Sequence, residues 1–267
     1  MMWFIPIGVI LVLGIIWSAG FLVVNDFAVA SRSPSRPLRT MAVFPHADDE
    51  TITSGGTISR LARLGGPVAL LLLTQGELGT PDGQGRPGLV EEREQEAARA
   101  ARLLGIDSVV RGGFPDGELA SGRSQVTAWL AGEIEAWRPE LLITFDLAGL
   151  YQHPDHVACA EILTQLQSTR FPQIALWYGS LPDRLLLTMV RLRLLPSGSD
   201  HDPRRSRPTH KVFVGGDLLA KIRAWNAYAS QRESLRWGLG RFVPPWLFLS
   251  VLLFEYFAAV PALGSEP

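Results

Sequence analysis

Short, wholly apolar runs alternate along this chain with longer stretches of helical periodicity, and that alternation is the strongest constraint on its fold. Val68 to Thr74 and Leu141 to Phe145 read as buried strands, as does the apolar run that opens at Met41. Val90 to Leu104 carries apolar residues at helical spacing and stops before Gly105, while Gln125 to Trp137 and Val157 to Leu166 also read as helices. Strands alternating with helices imply βαβ units joined by right-handed crossovers. The expected class is therefore α/β, a Rossmann-like, mostly parallel sheet flanked by helices.

Within that frame, Met41 to Thr57 (MAVFPHADDETITSGGT) stands out, because its apolar run ends in one histidine and three consecutive acids. Ligands of open α/β sheets collect at the carboxyl ends of strands, where His46, Asp48, Asp49 and Glu50 fall. An imidazole and a carboxylate three residues apart across a strand-to-helix turn can face one divalent ion, which such groups ligate at roughly 2.0 to 2.2 Å. Catalytic zinc takes three protein ligands and leaves the fourth position to water, so a third ligand must come from elsewhere. The other dense His/Asp cluster, Tyr151 to His156 (YQHPDH), follows the apolar run Leu141 to Phe145.

Each cluster has a plainer reading on its own. Acids after a strand favour a helix N-terminus, which suits Glu50 in particular, and His153-Pro154-Asp155-His156 could be a capped helix start with proline in its first turn. Arg93 beside Glu96 could be an i, i+3 surface pair, and Asp116 before Gly117 a turn residue. A nucleotide site at Gly55-Gly56 is disfavoured, since no G-x-G-x-x-G is present and acids there repel phosphate.

Taken together, the segments resemble a known family. PHADDE is similar to the AHPDDE signature of the PIG-L/LmbE-like zinc deacetylases, and GLYQHPDH (Gly149 to His156) to their second signature. TQGE at Thr74 to Glu77, REQE followed by ARLLGI within Arg93 to Ile106, FPDG at Phe114 to Gly117, and YASQ at Tyr228 to Gln231 occur in the family's order. Ala47 stands where the family has proline and Pro45 where it has alanine, a departure that bears on the rigidity of the turn. The resemblance implies removal of the acetyl group from N-acetylglucosamine carried on a lipid, an inositol or another aglycone. By motif position it implies His46, Asp49 and His156 as ligands of Zn2+, with Fe2+ as the alternative ion. Asp48 would be the general base, His153 the general acid or donor to the tetrahedral intermediate, and Tyr151 the group polarising the amide oxygen. Arg93 and Asp116 match positions that hold sugar hydroxyls.

The flanks suggest a membrane. Trp3 to Val24 is 22 residues without a charge, long enough at about 1.5 Å per residue to cross a core of about 30 Å. An uncleaved transmembrane anchor (residues 1–25) is expected rather than a cleaved signal peptide, although Ala28-Val29-Ala30 resembles a cleavage site. Ser31 to Arg39 carries three arginines and no acid, so residues 26–39 read as a basic linker that holds the catalytic domain (40–240) on the cytoplasmic side. Arg184 to Leu195 mixes arginines with aliphatic residues, suiting a headgroup region or a buried helix with snorkelling arginines. Phe242 to Gly264, within the hydrophobic C-terminal segment 241–267, reads as a membrane-embedded or interfacial helix rather than a full span, because Glu255 interrupts it.

Gly76 to Gly88 has five glycines in thirteen residues and reads as a loop near the site, either a rim or a plain connection. Ser197 to Arg207 reads as a flexible loop, with His201 and His210 as solvent residues. The single cysteine, Cys159, rules out an internal disulfide and suits a small buried position. A formal net charge of −1 offers no reason to expect nucleic acid. The expected partners are an amino-sugar glycoconjugate, lipid-linked, and membrane lipid. The competing readings are a deacetylase of a soluble thiol-precursor GlcNAc glycoside and a non-catalytic carbohydrate-binding scaffold.

Overall fold

The computed structural model describes residues 4–191, 193, 195, 197–232 and 245–264. Seven strands form one sheet: β1 (Thr40–Phe44), β2 (Val68–Thr74), β3 (Ser108–Phe114), β4 (Leu141–Phe145), β5 (Ala175–Ser180), β6 (His210–Phe213) and β7 (Phe254–Val260), in the order β3-β2-β1-β4-β5-β7-β6. The pairs from β3 through β5 are parallel, whereas β7 runs antiparallel to both β5 and β6. Every residue of β1, β2 and β4 is buried, as unbroken apolar strands covered on both faces should be.

Helices α2 (Asp49–Arg63), α3 (Leu89–Leu104), α4 (Arg123–Trp137), α5 (Gly149–Gln152) and α6 (Pro154–Thr169) connect or follow the parallel strands. Alternate residues of β1 face two separate cores: Met41 and Val43 pack with Leu130 and Ile162, Ala42 and Phe44 with Leu61 and Ala97. The helix α3 ends at Gly105 in the left-handed region at φ 77°, the stop its sequence announces. The chain winds from β1 outward to β3, then returns to β4 on the other side of β1. The register Thr40↔Leu141 puts the ends of β1 and β4 side by side at this reversal, where open sheets build their sites.

The expected transmembrane anchor is corrected. Among the described residues, no helix is long and apolar enough to cross a membrane. The helix α1 (Phe4–Val24) instead commits its C-terminal half to protein contacts with α7 (Asp183–Arg191) and α9 (Pro245–Val251). The Trp17 ring stacks on Phe21, its Nε1 donates to Ser250 Oγ at 3.0 Å, and Val24 packs with Leu185 and Val251. Asn25 Nδ2 then donates to the carbonyls of Phe21 and Val251, while Leu13, Ile15 and Ile16 on the helix stay exposed. The membrane localisation inferred from the anchor loses its span in the same way. The basic stretch after α1 is pinned along β6: Lys211 N donates to Ala30 O and Arg32 N to Lys211 O.

A second correction concerns the C-terminal apolar segment. Phe254–Val260 is neither embedded nor interfacial but a strand, inserted between β5 and β6. Glu255, which interrupts the apolar run, is 4% exposed: its carboxylate accepts from Gly56 N at 2.8 Å and Thr57 N at 2.7 Å and pairs with Lys221 Nζ, on α8 (Leu218–Ala227), at 2.7 Å. Phe242 to Pro244 lie outside the described residues. In α7, Leu185 and Leu186 are buried, as a docked helix requires. His210 is not a solvent residue either: on β6 it is 4% exposed, between the rings of Trp177 and Phe257, whereas His201 is exposed.

Candidate metal centre and active site

The end of β1 is fastened before the site begins, since Thr74 donates to Pro45 O through both its N–H and its hydroxyl. The chain then turns through His46 to Asp48, whose backbone sits at φ 111°, ψ −28°, in the region that disfavours any residue with a Cβ. Asp48 makes no side-chain cap to α2. Its N–H donates instead to Glu50 Oε2 at 3.1 Å, and Asp49 Oδ2 accepts from His46 N at 3.0 Å. The acids are therefore not a generic helix start.

From the end of β4, Asp146 Oδ1 accepts from Leu150 N and leads into α5, where Leu150 (φ 63°) and Gln152 (φ 69°) flank Tyr151 in left-handed conformations. His153 caps α6, its Nδ1 accepting from Asp155 N at 3.3 Å with Pro154 in the first turn. Because Nδ1 accepts, the neutral ring carries its proton on Nε2. Burial is the main influence on His153 and lowers its pKa, favouring that neutral form.

The two clusters meet. Asp49 Oδ2 lies 3.3 Å from His46 Nδ1 and 3.5 Å from His156 Nε2. The His46 ring centroid is 5.0 Å from that of His153 and 5.3 Å from that of His156, and the Tyr151 ring lies 5.1 Å from His156. Asp116 also joins, its Oδ1 3.0 Å from His46 Nε2 and its Oδ2 accepting from Leu78 N, so it is no mere turn residue. Arg93 is 3% exposed and forms no surface pair with Glu96: its Nη2 donates to Ala47 O at 2.8 Å and lies 3.9 Å from Asp48 Oδ1. The loop Gly76–Gly79 covers it so closely that a Cβ at Gly79 would meet Arg93 Nη1.

The electrostatics divide the carboxyls. Burial raises the Asp48 carboxyl to about 8, helped by Asp49 and Glu50 and opposed by Arg93 and His46. Burial pulls Asp49 the same way, but the imidazoles of His156 and His46 outweigh it and hold Asp49 at about 2. Burial also drives His156 down to about 4, so this ring is neutral. On His46 burial acts downward, yet the hydrogen bonds its ring donates to Asp116, Asp155 and Asp49 carry it well above the ordinary value.

These donors suit a divalent ion. His156 Nδ1 sits 3.2 Å from Gly149 O, a carbonyl that can only accept, so Nδ1 holds the proton and Nε2 holds a lone pair. That Nε2 is buried without a hydrogen-bond partner and lies against Asp49. A neutral imidazole oriented by a carbonyl at its far nitrogen is the usual arrangement of a metal-ligating histidine. Ligand atoms of His46, His153 and His156 fall within 4.8 Å of one another, as do those of His46, Asp116 and Asp155.

The GlcNAc-PI de-N-acetylase (PIG-L) family model matches residues 41–167. A deacetylase of 1D-myo-inositol 2-acetamido-2-deoxy-alpha-D-glucopyranoside from Rhodococcus erythropolis is 34% identical over 237 residues, covering 72% of this chain and 81% of that protein. The chain belongs to the PIG-L family. A Mycobacteroides abscessus enzyme of the same name is 29% identical over 226 residues, covering 72% of this chain and 81% of its own. In fold, the chain is similar to N,N'-diacetylchitobiose deacetylase from Pyrococcus horikoshii, with a TM-score of 0.60, 24% identity and 85% of each chain covered. As a PIG-L member it is a deacetylase, a metal-dependent hydrolase acting on an amide bond.

Several residues of this PIG-L site escape a reading by motif alone. Asp155 is fully buried, takes the N–H groups of Gly117 and Leu119, and lies 3.4 Å from His46 Nε2. Its signal was present, since it sits inside HPDH. Glu50 is likewise buried and accepts from Tyr228 Oη at 2.8 Å, while Glu96 accepts from Ser230 N and Oγ. Gln231 Nε2 donates to Gly79 O, so the YASQ turn holds both the Asp48 turn and the loop over Arg93.

Proposed function

We propose that this PIG-L protein removes the N-acetyl group of an N-acetylglucosaminyl glycoside with a soluble aglycone of the inositol type, using a divalent ion held by His46, Asp49 and His156. The observation that carries the site is the buried, unpaired Nε2 of His156 facing Asp49 at 3.5 Å. The aglycone is supported by the activity of relatives that share most of their length with this chain. Among the described residues no membrane-crossing helix accompanies the lipid-linked substrate expected from the sequence. When bound, zinc supplies Lewis acidity, lowering the pKa of water toward about 7 and polarising a carbonyl oxygen.

The side chains do the rest. Asp48, poised near neutral pH by burial, accepts the proton of the attacking water as its oxygen adds to the acetyl carbon. Tyr151 keeps its phenolic proton, because burial raises its pKa, and offers it to the amide oxygen as charge develops there. His153, neutral with its proton at Nε2, donates a hydrogen bond to the tetrahedral intermediate, while the proton that Asp48 took from water passes to the departing nitrogen as the C–N bond breaks, leaving acetic acid and the free amine. Asp116 orients His46, and Arg93 supports the Asp48 turn through Ala47 O.

The test is mass-spectrometric loss of one acetyl group from a GlcNAc-inositol and from a GlcNAc-phospholipid, with and without chelator, for wild type and His156→Ala. Turnover of the inositol glycoside that chelator and His156→Ala both abolish is expected. Turnover of the phospholipid alone would overturn the aglycone, and activity indifferent to chelator would overturn the metal centre.

A further inference from the structure

We propose that Tyr228, acting through the carboxyl of Glu50, is a positioning residue that holds Asp48 in its catalytic conformation. The inference rests on the reading of Asp48 as the group that takes the proton from water. Asp48 stands at φ 111°, a conformation that persists in a non-glycine residue only when its surroundings over-determine it. Two features do so. Its carbonyl accepts from Thr51 N at 3.0 Å and Ile52 N at 3.1 Å, as any helix start would arrange. Its N–H is the distinctive one, because it donates to Glu50 Oε2, a side chain two residues ahead.

Glu50 is fully buried and could not aim that oxygen unaided. Its other oxygen, Oε1, accepts from Thr51 Oγ1 and from Tyr228 Oη, the latter at 2.8 Å. Thr51 belongs to the same helical turn and moves with it. Tyr228 comes from the far end of α8, 178 positions later, and is 0% exposed. Its ring packs in the core with Ile58 and Ala97, so its place does not depend on the hydroxyl. The hydroxyl is thus a fixed external point to which Glu50, and through it the Asp48 amide, is referred. Ser230 and Gln231 of the same turn bind Glu96 and Gly79 O and touch neither Glu50 nor the Asp48 amide in their hydrogen bonds. The relay therefore belongs to Tyr228 alone among the three.

The experiment compares wild type, Tyr228→Phe, Asp48→Ala and the double variant, reading kcat, KM, zinc per chain and thermal midpoint on one GlcNAc glycoside. A hydrogen bond to a charged group, once removed, is expected to lower kcat roughly 10-fold to 100-fold with KM little changed. Zinc per chain stays at the wild-type value, since no proposed ligand is altered. In the Asp48→Ala background the same Tyr228→Phe change leaves kcat unaffected, because the group it positions is gone. An equal fold-loss in both backgrounds, or no loss in either, overturns the relay while leaving the deacetylase reading standing. An Asp48→Ala enzyme that keeps wild-type kcat overturns the base assignment itself. Should Tyr228→Phe fold poorly, Glu50→Leu removes both accepting oxygens and breaks the same relay at its middle, and the same non-additivity with Asp48→Ala is required of it.

Discussion

The Nδ1 of His156 lies 3.2 Å from the carbonyl oxygen of Gly149, and this one bond decides which nitrogen of the imidazole faces the site. Gly149 can present its carbonyl there because it sits at φ 61°, with its Cα pressed against the first turn of α6. A Cβ at this position would stand 2.9 Å from His156 Cβ and from Val157 N. Gly149→Ala is therefore expected to destabilise the protein by about 1 to 3 kcal/mol through strain and overpacking. Its metal affinity should fall roughly 10-fold to 100-fold, as with other losses of a ligand's orienting partner. Zinc titration against a chromophoric chelator checks this, and unchanged affinity would show that the Gly149 carbonyl is not needed to orient the ring.

At Asp48, the proposed base, stability and activity are expected to oppose each other. Replacing it with glycine removes a Cβ from the left-handed region, relief of about 1 to 2 kcal/mol that the unfolded-state entropy of glycine offsets in part. It also removes a buried carboxyl whose pKa is held at about 8. Asp48→Gly should thus melt at or above the wild-type temperature while losing about 10² to 10⁴ in turnover. Calorimetry paired with the acetyl-loss assay reads both, and a clear drop in melting temperature would contradict the strain argument.

The buried pair on α8 and β7 behaves differently. Lys221 Nζ lies 2.7 Å from Glu255 Oε1 and 2.9 Å from Ile52 O, with both side chains almost fully buried. Lys221→Met strands the Glu255 carboxylate and should cost about 3 to 5 kcal/mol. Adding Glu255→Gln removes the stranded charge while keeping one of the two oxygens that accept from Gly56 N and Thr57 N, and should restore part of that loss. Urea midpoints of the two variants decide the matter, and equal midpoints would mean the stranded charge is not what destabilises the single variant.

His210 gives the fold an acid sensitivity away from the proposed metal centre. Burial, seconded by Arg32, pushes its pKa down to about 4, and its Nε2 is buried without a partner. An unfolded histidine titrates near about 6.5, so as pH falls below that value the unfolded chain takes up the proton first. The contribution of His210 is fully present above about 6.5, declines between there and pH 4, and is flat below, a loss on the order of 2 kcal/mol. His210→Phe, which suits the neighbouring rings of Trp177 and Phe257, should flatten that part of the stability curve. Urea melts of both proteins at pH 7.5 and pH 4.5 measure it, and parallel declines would rule it out.

Much of this site was legible in the chain itself. The apolar runs at β1, β2 and β4 and the helical spacing of α3 are local patterns, and local patterns survive without knowledge of the partner. The ligand-type residues at the ends of β1 and β4 were legible for the same reason. The weaker strands were not: β3 reads SVVRGGF, with two glycines and an arginine, and is only partly buried at the sheet's edge.

By itself, then, the sequence determined the α/β alternation, the positions of the strands that carry the site, and the chemistry of the residues at their ends. Tertiary structure alone decided that β1 and β4 lie side by side, bringing His46 and Asp49 to His156. It also decided that the C-terminal apolar run is β7, that Glu255 meets Lys221, and that Tyr228 reaches Glu50 across 178 positions. The physical reason is that an apolar side chain leaves water equally well for lipid or for a neighbouring strand. A buried polar atom, likewise, requires a partner without specifying where in the chain that partner lies.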